Sequence, residues 1–163
     1  MPEPGGSEAA AAPDDEALLF RLFNEIGIIN QLATNAFERV MPHDLTLAQF
    51  TILNHCMRLG DNKTPAQLAD ILQVTRGTLT STLGRLAEKR FVRLVPDAED
   101  GRSKRVVLTA AGRKARDAAI VAALPLLETA RLAMPRATVV RMLPALEDLR
   151  RWLDANRQKP PQL

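Results

Sequence analysis

Between Thr75 and Arg85 the chain reads TRGTLTSTLGR. The stretch sets five hydroxyls beside two guanidiniums and two glycines, with no carboxylate or imidazole among them to activate a hydroxyl for attack. Such residues bind rather than react. Hydroxyls reach phosphate oxygens or base edges, and an arginine fork can bond two acceptors of one guanine. The residues singled out here are Thr75, Arg76, Gly77, Thr78, Ser81, Thr82 and Arg85. A second polarised stretch, PDAEDGRSKR, holds three acids and three bases between Pro96 and Arg105, then gives way to Val106-Val107-Leu108. Its candidates are Arg102, Ser103 and Lys104, with Asp100 as a carboxylate that holds the Arg102 fork in one orientation and lowers the freedom lost on binding.

These groups work only if local structure turns them outward together. On a helix at roughly 100° per residue, Leu79, Leu83 and Leu86 fall in one narrow arc, the core side. Gly77, Thr78, Ser81, Arg85 and Glu88 fall on the opposite half. A surface selected for helicity alone would favour Glu, Lys and Ala, which this face largely lacks. Gly77 costs about 1 kcal/mol relative to Ala in a helix, and it lets the backbone approach another surface closely. Thr75 is placed to cap this helix, which is expected to run to about Lys89.

Flanking signals define the rest. Thr46 with Gln49, and Thr64-Pro65 with Gln67, are capping boxes that open two helices, and Gly60 ends the first of them. Phe91–Val95 and Arg105–Leu108 are expected as two strands joined by the polarised loop. A short helix, a three-residue turn, a second helix and a two-stranded hairpin make a winged helix-turn-helix, whose second helix can lie in a major groove. The hairpin tip can reach a minor groove, whose negative potential attracts guanidinium.

Outside this core, Leu18, Leu22, Ile26, Ile29 and Ala33 recur at helical steps, and that helix should end before Pro42. A long helix from about Thr109 to Arg131, kinked at Pro125, and a last one from about Pro135 to Ala155 follow. The expected fold class is therefore mainly α, a winged helix-turn-helix core with a two-stranded wing at about 45–108, flanked by long dimerisation helices at 14–41 and 109–157. Residues 1–13 and 158–163 lack periodicity and are expected to be disordered tails. Leu18 and Leu22, with Leu146, Leu149, Trp152 and Leu153 in the last helix, exceed what a small monomer core can cover. They are the expected dimerisation surface, and a two-fold dimer would match two half-sites on double-stranded DNA.

Totals narrow the class. Within 163 residues and a net charge of +3, the segment 60–116 carries twelve Lys or Arg against six Asp or Glu, while the rest is net negative. A basic block in a mildly acidic chain points to a polyanion. A single cysteine, Cys56, excludes a disulfide framework within the chain and favours a reducing compartment. No apolar run approaches the length of about 18 residues that a membrane helix needs, and the N-terminus lacks a secretory layout. A cytoplasmic protein without membrane partners is expected.

The stretch QLADILQVTRGTLTSTLGRLAEKRFVRLVPDAEDGRSKRVVLTAAG resembles the DNA-binding core of the MarR family of transcriptional regulators. Asp100-x-Arg102, then VVLTAAG leading into a helix, is the most specific part, and the resemblance spans about residues 14–157. It implies a homodimer, built by the first and last two helices, that binds a pseudopalindromic operator as a repressor. It also implies release by a small phenolic or other aromatic ligand bound between dimer and DNA-binding regions. Ile28, His43, Phe50 and Asn54 are the pocket residues suggested by that location, an apolar lining with few polar groups.

Other readings carry less. One branch of the family senses peroxide through a cysteine in the first long helix, but here that helix has none and Cys56 lies in the second. A redox role for Cys56 competes with the ordinary role of a buried small hydrophobe. His43 and His55 alone do not make a zinc set, and no cofactor is called for. No glycine-rich phosphate loop, Gly-x-Ser-x-Gly or His-Glu-x-x-His occurs, so an enzyme is not expected. A constitutive or architectural DNA-binding protein without effector is the alternative; a neutral scaffold would not need so polarised a helix and hairpin.

Overall fold

The computed structural model describes residues 13–97 and 103–157. Six helices and one hairpin follow in the order α1 (Pro13–Val40), α2 (Leu47–Leu59), α3 (Pro65–Leu72), α4 (Arg76–Glu88), β1 (Val92–Pro96), β2 (Lys104–Leu108), α5 (Ala110–Ala133) and α6 (Arg136–Asn156). A short 3-10 turn, Pro42–Asp44, joins α1 to α2. The chain divides into two units with the boundary inside α5, after Ala119.

Helix ends follow the local chemistry. α1 stops two residues before Pro42. Thr46 and Thr64 each accept from the N–H three residues on, and Gln49 and Gln67 reach back to the cap N–H, so both capping boxes form. Gly60 closes α2 at φ 88°, a conformation a side chain disfavours. Gln73 adopts the left-handed region to end α3, and the N–H of Val74 returns to Ala69 O at 3.1 Å. Three residues later Thr75 caps α4.

In the first unit, Leu45, Ile52, Leu53, Leu68, Leu79, Leu83, Leu86, Val92 and Val106 are almost wholly buried in one cluster drawn from the α1–α2 connector, α2, α3, α4 and the hairpin. The strands pair antiparallel, with Val92 opposite Leu108 and Pro96 opposite Lys104. β1 starts one residue later than its apolar run suggests. The N–H of Phe91 is spent on Leu86 O at the end of α4, at 2.9 Å, and so cannot join the ladder. A third, one-residue strand was not expected. Asn62 N–H donates to Val106 O at 2.7 Å and Val106 N–H to Lys63 O at 2.9 Å, so the α2–α3 turn is stitched to β2.

The helix α5 continues through Pro125. In the second unit α6 contains no buried residue. Apolar side chains at Leu18, Leu22, Leu146, Trp152 and Leu153 are exposed, and Leu149 is half-buried. No single described helix is long and apolar enough to cross a membrane.

Candidate nucleic-acid interface

α4 exists because its two faces want different surroundings. Leu79, Leu83 and Leu86 are at most 1% exposed and fasten it to the core. Thr75, at the cap, accepts the Thr78 N–H at 3.1 Å, and the two hydroxyls lie 2.8 Å apart. The outward face gathers Thr75, Arg76, Gly77, Thr78, Ser81 and Arg85, all exposed, with Thr82 half-buried at its edge. These are the seven residues the sequence singled out on this helix. The hydroxyls of Thr80 and Thr82 donate back along the helix, to Arg76 O at 2.8 Å and Thr78 O at 2.9 Å. The Arg85 side chain has no hydrogen bond or ion pair among the described residues. The chain itself does not demand glycine at 77, where a Cβ would meet nothing nearer than Thr75 Oγ1 at 3.9 Å.

The hairpin rises beside this helix. Asp97 N–H donates to Ser103 O at 2.9 Å, extending the ladder at its loop end. Ser103 is half-buried and Lys104 exposed. Asp100 and Arg102 lie outside the described residues, so their expected pairing is not part of this description. The loop end of the hairpin holds a pair that sequence reading missed. Asp97 Oδ2 lies 2.8 Å from Arg105 Nε, with the two side chains only 7% and 28% exposed. Arg105 also donates to Asn62 O at 2.8 Å, in the α2–α3 turn. A signal for the pair was available: Arg105 opposes Val95, and Asp97 is two residues on, a diagonal neighbour on the same face.

The four residues suggested for a ligand pocket have other engagements. The His43 ring meets Phe91 edge-on at 5.6 Å. Phe50 packs against the core, and Asn54 accepts from Arg116 Nε and Nη2 at 3.1 and 2.8 Å. Ile28 is 45% exposed. Among the described hydrogen bonds, ion pairs and ring contacts, none joins two of the four. A cavity of about 500 Å³ opens on another side of α2, lined by Asn30, Thr34 and Glu38 of α1, Thr51 and Ile52 of α2, Val74, and Thr78 and Thr82 of α4 among others. Its α1 residues recur every fourth position, a polar stripe visible in the sequence but passed over for the apolar one.

The titratable groups of α2 are tuned by burial. Burial, with the Asp61 carboxylate nearby, pushes the Cys56 thiol up to about 11. Burial and the Lys63 charge lower His55 below its ordinary value, and its Nε2 finds no hydrogen-bond partner among the described residues. No group of three His, Cys, Asp or Glu among the described residues could hold a metal ion.

A buried-backed helix with an outward row of hydroxyls and arginines, set beside a two-stranded hairpin, defines a winged helix-turn-helix DNA-binding protein. The sequence profile of the MarR family matches residues 43–103. The multiple antibiotic resistance protein MarR of Escherichia coli is 36% identical over 99 residues, covering 56% of this chain and 68% of that protein. The transcriptional activatory protein BadR of Rhodopseudomonas palustris is 33% identical over 98 residues, covering 59% of this chain; the match spans only 54% of BadR, about half its length. The crystal structure of a mutant E. coli MarR complexed with operator DNA superposes with a TM-score of 0.72 at 26% identity, covering 80% of this chain and 94% of that one. The regulator BldR of Sulfolobus solfataricus shares the fold, with a TM-score of 0.71 at 24% identity over 85% of this chain and 96% of its own. The chain belongs to the MarR family of transcriptional regulators, which are non-enzymatic DNA-binding proteins.

Proposed function

We propose that the protein is a cytoplasmic homodimeric repressor that reads a pseudopalindromic operator through α4 and the wing and is released by a small ligand, aromatic or otherwise. The observation that carries the reading is the outward face of α4, where an exposed Arg85 without a partner among the described residues stands beside Thr78, Ser81 and Gly77. Free guanidinium donors suit guanine, short hydroxyls suit phosphate or base edges, and an absent side chain at Gly77 admits close backbone approach. Ser103 and Lys104 of the wing, with Arg102 and its expected support Asp100 at the tip, extend the contact to the neighbouring groove. The operator complex of the related E. coli protein supports the DNA partner.

Dimerisation through α1 and α6 rests on apolar surface. Leu18 is 65% and Trp152 59% exposed in the single chain, and surface of that kind marks an interface. The effector reading rests on the cavity that reaches Thr78 and Thr82, since a molecule bound there would touch the helix proposed to read DNA. A second reading, activation, has the name of BadR in its favour.

The test is binding of the tightest duplex recovered by the protein from a randomised library, against a scrambled duplex of equal length at matched salt. Arg85→Ala should weaken the selected duplex by about tenfold to a hundredfold and relax preference at one position, as loss of a bidentate base contact does. An equal fall on both duplexes would assign Arg85 to phosphate, and no change would remove α4 from the interface. A promoter reporter in cells with and without the gene then separates repression from activation.

A further inference from the structure

We infer that Lys89 is a positioning residue for DNA recognition, its ammonium clasping the end of α4 to the connector between α1 and α2. Lys89 Nζ donates to His43 O at 2.7 Å, to Asp44 O at 2.8 Å and to Gln49 Oε1 at 3.3 Å. An ammonium has three N–H donors, and the chain supplies three acceptors. Nothing is left for a phosphate, in contrast to Arg85 one turn earlier.

The receiving loop is shaped for this cation. His43 and Asp44 are successive non-glycine residues in the left-handed region, at φ 62° and 50°, and their carbonyls turn toward one point. Such backbone persists only where the surroundings hold it. Gln49 is buried, and the same oxygen that meets Lys89 lies 3.4 Å from the Thr46 N–H, in the box that starts α2. The connector and the end of α4 touch a second time, where the His43 ring meets Phe91. The chain turns between these contacts through Arg90, also left-handed at φ 60°. Glu38, near the end of α1, accepts the Leu47 N–H at 2.7 Å, so α1, α2 and α4 are joined through one small polar knot.

The knot lies at the opposite end of α4 from its cap, Thr75. Leucines hold the helix down, but an apolar face leaves rotation and tilt loosely specified. Three directional bonds at Lys89 restrain both. A shift at the end of α1 would reach α4 through the same bonds. The proposal rests on the reading of α4 as the recognition helix.

The experiment uses the full chain with the selected and scrambled duplexes, over a range of salt. Lys89→Met keeps the apolar stem and removes the donors. It should weaken the selected duplex by about tenfold, the size expected on losing charged hydrogen bonds, while the scrambled duplex and the salt slope stay as in the wild type. Lys89→Arg, which keeps charge and donors, should recover most of the loss. A fall on both duplexes, with the slope reduced by about one, would make Lys89 a phosphate contact and overturn the proposal. So would unchanged selectivity in a folded Lys89→Met. If that variant does not fold at the assay temperature, Gln49→Met, which removes the side-chain acceptor of the clasp, decides: it must lower selectivity in the same direction, and unchanged selectivity overturns the clasp. Arg85→Ala run in parallel separates the two readings, because its silence would sink the recognition helix itself, whereas its effect beside a silent Lys89→Met would sink only the clasp.

Discussion

Asp97 and Arg105 face each other across the loop end of the hairpin at 2.8 Å, and Arg105 reaches on to the Asn62 carbonyl. The pair therefore joins the wing to the α2–α3 turn by side chains, in parallel with the backbone bonds between Val106 and residues 62–63. Because Asp97 is buried, its partner cannot be replaced by water. Asp97→Asn should cost about 2 kcal/mol, below the loss for a fully buried pair because Arg105 is partly solvated. The urea midpoint checks this, and an unchanged midpoint would show that the pair is held by the hairpin rather than holding it.

Gly112, in the first turn of α5, has no room for a side chain. A Cβ there would overlap the Phe91 carbonyl oxygen and crowd Leu108 Cδ1. The Phe91 oxygen accepts the Thr109 N–H at 3.1 Å, so it cannot move aside freely. Gly112→Ala should cost about 3 kcal/mol or more, seen as a large drop in Tm. Gly84→Ala, where nothing lies within 4 Å, should stabilise the helix by about 1 kcal/mol.

Cys56 is buried, with its thiol pushed up to about 11. At pH 7 only about one thiol in ten thousand is then a thiolate, the reactive form. Labelling by a disulfide reagent should be far slower than for a free thiol and should rise on unfolding. Cys56→Ser should keep its DNA affinity in peroxide and without it. Rapid labelling of the folded protein would revive a redox role.

His55 makes stability depend on pH in one direction. Its folded value lies below the ordinary 6.5, through burial first and the Lys63 charge second. The unfolded chain, near 6.5, takes up the proton first as pH falls. Stability is therefore fully present above about 6.5 and is lost as pH falls below it toward the folded value. Tm should decline as pH falls through about 6.5, and His55→Leu should flatten part of that decline.

The parts legible in the sequence were those governed by near neighbours. Thr46 with Gln49, Thr64 with Gln67, Thr75 and Gly60 act within one turn, so helix limits could be read directly. The Leu79, Leu83 and Leu86 arc needs only helical period, and it also placed the outward face of α4. The one-residue bridge at Lys63 has no period to detect. The three bonds of Lys89 go to acceptors 40 to 46 residues away, two of them backbone carbonyls that no side-chain pattern marks. The cavity was missed because its α1 stripe, Asn30, Thr34 and Glu38, is polar.

The inward-bonded threonines of α4 change what the helix can ask of a duplex. A hydroxyl whose proton already serves the carbonyl four residues back, as in Thr80 and Thr82, meets a partner through lone pairs and a methyl group. It suits the amino groups of adenine and cytosine, or the thymine methyl, and is indifferent to phosphate oxygens. On the reading of α4 as the recognition helix, these two hydroxyls would address bases rather than phosphates.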